Sequence, residues 1–482
     1  MEDRTLGRCL TEYAGGGYYP YHMPGHKRRG AQGGSFSEAL AASMRYDITE
    51  IDGFDNLHEP EGILLEAQER AAALYGADDC FYSVNGSTAG ILTAVSAAVP
   101  EGGKLIMARN CHKAVYHSVY LRHLEPVYLY PGTVGDTELA APVTAAQVEE
   151  ALEQNPDAKA VLIVSPTYDG VAADVAGIAK AVHRRGVPLI VDAAHGAHFG
   201  LHLGFPESPV RLGADLTVVS LHKTMPCPTQ TALLLCCGSR VAKERLRLFE
   251  GIYQTSSPSY LLMAAMDECV SAVRRTGAAL WDAFFRERAA FLEQCSGLSG
   301  LRILTDGTFE LGKTGEQLKF LMDPGKILIE TSKTCLTGKQ FYDILLEQYH
   351  LQMEMAAGNY VTAIMTCCDS KEGWQRLAEA LVSIDRSVAG SVPGHESRLR
   401  EYPFLEKAVS LTEALDAPKE KASLEEAEGK ISGGFVNLYP PGIPVVVPGE
   451  RISREAARLI MRYRQQNLPL QGAEEGAITI LK

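Results

Sequence analysis

Lys223 stands in SLHKTMPCPTQTALLL (220–235), directly after a histidine and just beyond the apolar run LTVVS, with prolines following at once. A lysine is almost never fully buried without a partner, yet its flanks here read as interior. Held in a dry cleft, its amine has a lowered pKa and can form a Schiff base with a carbonyl. A lysine that merely leaves a strand end for solvent would look the same. Upstream, the run PLIVD ends in Asp192. A carboxylate at the C-terminal end of a parallel strand points into the crevice where open α/β sheets bind ligands. Pyridoxal phosphate chemistry asks for a lysine to hold the cofactor and an acid to keep its pyridine nitrogen protonated. Lys223 and Asp192 match those two needs in type.

Further candidates surround this pair in the chain. In SVNGSTAGILTAV (83–95) a strand ends, a Gly-Ser-Thr turn follows and a helix begins. The free N–H groups and positive dipole end of such a helix suit an anion, and Ser87 and Thr88 add hydroxyl donors. An ordinary helix cap would use the same residues. His112, in KLIMARNCHKAV, follows the next strand and could stack on a cofactor ring. His195 and His198 in HGAHFG have no third ligand near them in sequence, so no metal is expected.

The elements that must position these residues are legible as short apolar runs. They are DCFYSV (79–84), KLIMA (104–108), PVYLY (126–130), AVLIVS (160–165), PLIVD (188–192), LTVVS (216–220) and TALLLCC (231–237). Continuous Val/Ile/Leu runs mark strands buried on both faces. Helical stretches lie between them, as at Ser87–Val99 and Ala173–Arg185, and a helix from Ile63 should stop at Gly76. The expected fold is therefore α/β with a mostly parallel seven-stranded sheet in a large domain, plus smaller α+β C-terminal domains. The expected organisation is an N-terminal arm (1–62), a large cofactor domain (63–265), a small α+β domain (266–387), a charged connector (388–433) and a C-terminal subdomain (434–482). A long helical region (260–298) opens the small domain, and Ser453–Gln466 is a helix near the end.

Composition narrows the class. With 482 residues, 46 Lys+Arg against 59 Asp+Glu and a net charge of -13, the chain is an acidic multi-domain protein. That balance argues against a nucleic-acid partner. Eleven scattered cysteines without a CxxC suggest a reducing cytoplasm, and Cys236-Cys237 and Cys367-Cys368 read as buried small hydrophobes. The N-terminal segment lacks the apolar core of a secretory signal, and no run is long enough for a membrane span.

Nine segments in order carry a family resemblance. They are HMPGHK (22–27), DITEIDGFDNLHEPEG (47–62), NGSTAG (85–90), NCHKAVYHS (110–118), SPTYDG (165–170), VDAAHGAHFG (191–200), SLHKTMPCPTQTALLL, QTSSPSYLLMAAMD (254–267) and YPPGIPVVVPGE (439–450). Together they closely resemble the prokaryotic ornithine/lysine/arginine decarboxylases, pyridoxal phosphate enzymes of the aspartate-aminotransferase fold (fold type I). The resemblance implies that Lys223 forms the Schiff base and that Asp192 pairs with the pyridine nitrogen. It implies that His112 stacks on the ring, with His195 beside it. Ser87, Thr88, Ser220 and His222 would hold the phosphate. The segment Thr255–Tyr260 would reach the phosphate of a neighbouring subunit, in a homodimer or higher homo-oligomer. HMPGHK comes early, as in the shorter biosynthetic relatives that resemble arginine decarboxylase. Ala193 stands where relatives often carry glutamate, which puts any second-carboxylate role there in doubt.

The activity so implied is decarboxylation of a basic L-amino acid in polyamine biosynthesis: arginine to agmatine first, lysine to cadaverine or ornithine to putrescine as alternatives. Lys223 and His222 are candidates to return a proton to Cα. Six carboxylates in 47–61 (Asp47, Glu50, Asp52, Asp55, Glu59, Glu61) and Glu354 are candidates for the distal cation, or simply face water. The Lys223/Asp192 pair would serve an aminotransferase or β-eliminating lyase equally well. A cofactor-binding protein without catalysis is the reading from another class.

Overall fold

The computed structural model describes residues 4–17, 24, 42–134, 137, 139–305, 307–311, 316–391, 403–438 and 442–482. Of HMPGHK, all but Pro24 lies outside the described residues. The central sheet has seven strands: β1 (Asp79–Ser83), β2 (Lys104–Ala108), β3 (Glu125–Leu129), β4 (Ala160–Val164), β5 (Leu189–Asp192), β6 (Leu216–Ser220) and β7 (Ala232–Cys236). Their order is β1-β7-β6-β5-β4-β2-β3. β7 runs antiparallel to β1 and β6, while β2 pairs parallel with β3 and β4, and β5 with β6. Each strand lies within one residue of its apolar run, because side chains buried on both faces leave no room to slip.

The described chain divides into two units, Met1–Ala98 with Pro188–Trp281, and Val99–Val187 with Asp282–Lys482. In the first, β5, β6 and β7 are buried along their whole length. The helix Gly86–Ala98 lies against β6 so closely that a methyl at Gly90 would come within 3.0 Å of Val218. Glycine gives that approach room, and a larger residue would force Val218 to shift. The helix Ile63–Tyr75 ends as its sequence dictates, with Gly76 left-handed at φ 79° and its N–H returned to the Ala72 carbonyl. The arm, in which sequence shows no periodicity, contains the helix Leu6–Gly15. Its first N–H donates to Asp267 Oδ2 (2.8 Å), and Arg70 grips the same fully buried carboxylate with two donors (3.0 and 2.9 Å).

In the second unit the strands Met355–Ala356, Tyr360–Ile364, Lys326–Glu330 and Arg302–Leu304 make an antiparallel sheet in that order. The stretch expected to be a connector is partly built structure. Leu411–Asp416 is a helix with a Ser410/Glu413 capping box, and Lys419–Ser423 pairs with Ala477–Leu481. Only Ala422 of that strand is buried, so its charged sequence hid it. It joins a C-terminal core of Val436, Val446, Ile452, Ile460 and Ile478. The strands Val436–Leu438 and Ile443–Val446 pair antiparallel within it. Arg109, just past β2, is tied to this core by a two-donor pair with Glu450 (3.1 and 2.9 Å) and donates to the Pro444 carbonyl (2.7 Å).

The cysteines correct one expectation. All eleven are free, and Cys236 is buried, but Cys237 and Cys367 are half-buried and Cys368 is exposed. Residues 237 and 367–368 follow the last residues of their strands, where the chain leaves the core. Among the described residues, no helix is long and apolar enough to cross a membrane.

Candidate active site

Strand register brings the candidate residues of the first unit to one sheet edge. Asp192 aligns with Val218, two residues short of the end of β6, and Ser220 and Ser83 both align with Ala232 on β7. The last residues of β1, β5 and β6 therefore open on the same side. Lys223 follows Ser220 on the single helical turn Leu221–Thr224. Its Nζ lies 3.0 Å from His195 Nε2, within hydrogen-bond reach. Lys223 is half-buried and His195 is buried.

Asp192 is 5% exposed and accepts a hydrogen bond from the Ala194 N–H (3.1 Å). Burial pushes its carboxyl above the ordinary range, and the charge of Lys223 opposes that rise. A cationic partner brought to it would favour the ionised form, which is what an acid opposite a protonated pyridine does. His222 Nδ1 sits 3.0 Å from the Thr231 carbonyl. A carbonyl only accepts, so Nδ1 carries the proton and Nε2 is left as acceptor. Burial lowers the His222 pKa, which keeps the ring neutral near pH 7.

The helix Gly86–Ala98 starts where the sequence expects an anion site. Gly86 has φ +74°, a conformation that favours glycine, and Ser83 Oγ donates to its carbonyl (2.8 Å), closing the turn. Ser87 is half-buried and Thr88 is exposed at the open end of the helix. Ser220 Oγ is wholly buried with no hydrogen-bond partner among the described residues. A buried orphan hydroxyl carries a cost that a ligand oxygen would relieve. An amine, a buried acid, an unsatisfied hydroxyl and a helix N-terminus on one edge fit a phosphorylated pyridine aldehyde.

His112 lies in the second unit, half-buried, as N-cap of the helix Lys113–Leu121, its Nδ1 accepting from the Ala114 N–H (3.2 Å). His198 is buried between Phe199, Phe205 and Trp281. Of the six acidic residues in 47–61, Asp55 is consumed as a loop cap, accepting from the N–H groups of Asn56, Glu61, Gly62 and Leu64. Those bonds hold its pKa below the ordinary value against the opposing effect of burial. Glu354 is exposed and accepts from Tyr168 Oη. Thr255, Ser256 and Ser257 are exposed. Sequence reasoning missed Glu250 and Gln254, buried behind the anion turn; a Glu and Gln four apart at a helix end was their only signal.

Known proteins match the whole chain. The family model of the Orn/Lys/Arg decarboxylase major domain matches residues 5–309, and that of the Orn/Lys/Arg decarboxylase C-terminal domain matches 401–468. An arginine decarboxylase of Bacillus subtilis (strain 168) is 31% identical over 486 residues, covering 100% of this chain and 98% of its own. One of Bacillus anthracis is 30% identical over 485 residues, covering 100% and 97%. The crystal structure of the Francisella novicida lysine decarboxylase LdcF superposes with a TM-score of 0.82 at 18% identity, over 99% of this chain and 81% of that one.

Proposed function

The chain belongs to the Orn/Lys/Arg decarboxylase family, and from that premise we propose that it decarboxylates L-arginine to agmatine on pyridoxal phosphate bound through Lys223. It is an amino acid carboxy-lyase with the fold of type I pyridoxal phosphate enzymes. Decarboxylation of a basic amino acid is its reaction; arginine is preferred to lysine or ornithine because relatives about as long as this chain and about 30% identical carry the arginine name. The observation that carries the site is the Lys223 amine, 3.0 Å from His195 and on the same sheet edge as buried Asp192 and the unsatisfied Ser220 hydroxyl.

The cofactor, when bound, supplies the sink for the electron pair left on Cα as carbon dioxide departs. The chain's own residues do the rest. Lys223 provides the attacking amine, and His195 Nε2 accepts a hydrogen bond from it, orienting Nζ. Asp192 holds a negative charge under the sheet edge, where burial makes that charge cost most and act most strongly. Ser220 Oγ, Ser87 and Thr88 would donate to the phosphate, and the Thr231 carbonyl fixes the orientation of the His222 ring. The Cα–carboxylate bond breaks, and a proton returns to Cα from Lys223, or from His222 once its Nε2 has taken up a proton.

The same reading keeps 63–265 as the cofactor domain, 434–482 as the C-terminal subdomain and a homo-oligomer in the cytoplasm. The test is to measure carbon dioxide release from L-arginine, L-lysine and L-ornithine in parallel. Fastest release from arginine is expected. A keto acid as the main product would instead point to an aminotransferase.

A further inference from the structure

The helix Gly86–Ala98 is held at both ends, at the turn that enters it and at its last turn, by one other segment. Past the helix Lys243–Tyr253, the Gln254 side chain turns inward. Its Oε1 accepts from the Val84 N–H (2.7 Å), and its Nε2 donates to the Tyr82 carbonyl (2.9 Å) and to Glu250 Oε1 (2.6 Å). One amide thus ties the end of β1 and the first residue of the turn. Asn85 Nδ2 donates to the Tyr253 carbonyl (3.2 Å) beside it. At the far end of the helix Gly86–Ala98, Arg245 donates to the carbonyls of Ala97 (2.9 Å) and Ser96 (3.0 Å), and Tyr253 Oη meets Ser96 Oγ (2.9 Å). The helix whose start would hold a phosphate has the segment leading into it and its last turn fixed by the same element.

The amide can be placed only one way. Reversed, its oxygen would face the Tyr82 carbonyl and its NH2 would face the Val84 N–H, which is like against like. Glu250, itself buried, is the second acceptor on the nitrogen side and fixes that orientation. We propose that Gln254, oriented by Glu250, is a positioning residue that sets the Val84–Gly86 turn so that the amides and hydroxyls at Gly86–Thr88 converge on the cofactor's phosphate. It touches neither cofactor nor substrate and acts through the turn. This inference rests on the reading of that helix start as the phosphate site.

The experiment measures binding of pyridoxal phosphate and of unphosphorylated pyridoxal to the cofactor-free full chain by equilibrium dialysis. Gln254→Ala is expected to weaken pyridoxal phosphate roughly tenfold or more while leaving pyridoxal within about twofold, since only the phosphate feels the turn. Gln254→Glu keeps an acceptor for Val84 but loses both donated bonds, and covers the case in which the alanine variant does not fold. Its expected loss is in the same direction. An equal loss for both ligands in either variant would mean a general structural role and overturn the proposal. Ser87→Ala with Thr88→Ala serves as the reference. If that pair lowers phosphate preference and the Gln254 variants do not, Gln254 has no positioning role. If the reference leaves the preference unchanged, the helix start is not the phosphate site, and the proposal falls with it.

Discussion

Replacing Glu250 by glutamine should remove a pH dependence that the buried carboxyl imposes on folding. Glu250 is 7% exposed, and burial pushes its pKa from 4.5 up to about 8; the Gln254 hydrogen bond and Arg247 oppose that rise. The folded state therefore keeps a proton that the unfolded chain releases, so stability falls as pH climbs from about 4.5 and levels out above about 8. Each pH unit inside that window costs about 1.4 kcal/mol, which gives roughly 2 kcal/mol between pH 6 and pH 8. Glutamine keeps the shape and an oxygen for the Gln254 Nε2 but has no proton to lose. Urea denaturation of wild type and Glu250→Gln at pH 6 and pH 8 should show the variant gaining about 2 kcal/mol on the wild type over that interval. A stability difference that stays constant with pH, or shifts towards the wild type, would refute the reasoning.

Three further outcomes follow from the geometry. Asp192→Asn keeps the shape but not the charge, and carbon dioxide release should fall about 100-fold or more, read as kcat at saturating cofactor. Ser220→Ala should split two measurements: the cofactor-free protein gains about 1 kcal/mol in denaturation because an unsatisfied buried hydroxyl is gone, while pyridoxal phosphate binds about tenfold more weakly. Glu450→Gln leaves the Arg109 charge buried without its partner and should cost about 3 kcal/mol in urea denaturation; a loss below about 1 kcal/mol would show that the pair does not hold the end of β2.

The sheet and the Lys223/Asp192 pair were legible in the sequence for one reason. Strands buried on both faces must be apolar throughout, so their ends, and the polar residues just past them, are sharply marked at Asp192 and Ser220. Elements that bury little were not marked. The strand Lys419–Ser423 hides one alanine among charges, and the helix Leu6–Gly15 buries Leu6, Cys9 and Leu10 beside a glycine-rich stretch. Pairings distant in the chain were invisible too: Arg109 meets Glu450 across 341 positions, and Gln254 meets Val84 across 170. No periodicity announces such a bond. In the acidic stretch 47–61 a different signal was missing: Asp55 looks like any solvent carboxylate until its four backbone donors are seen.

The central claim is that Lys223 carries the cofactor on which a basic amino acid loses its carboxylate. The most direct measurement records the visible absorption of the purified protein with pyridoxal phosphate and, in the same preparation, carbon dioxide release from L-arginine, for wild type and Lys223→Ala. Wild type should be yellow and active, and the variant should have lost the lysine-bound absorption and all turnover. A colourless wild type after cofactor addition, or a Lys223→Ala protein that releases carbon dioxide at the wild-type rate, would contradict that claim.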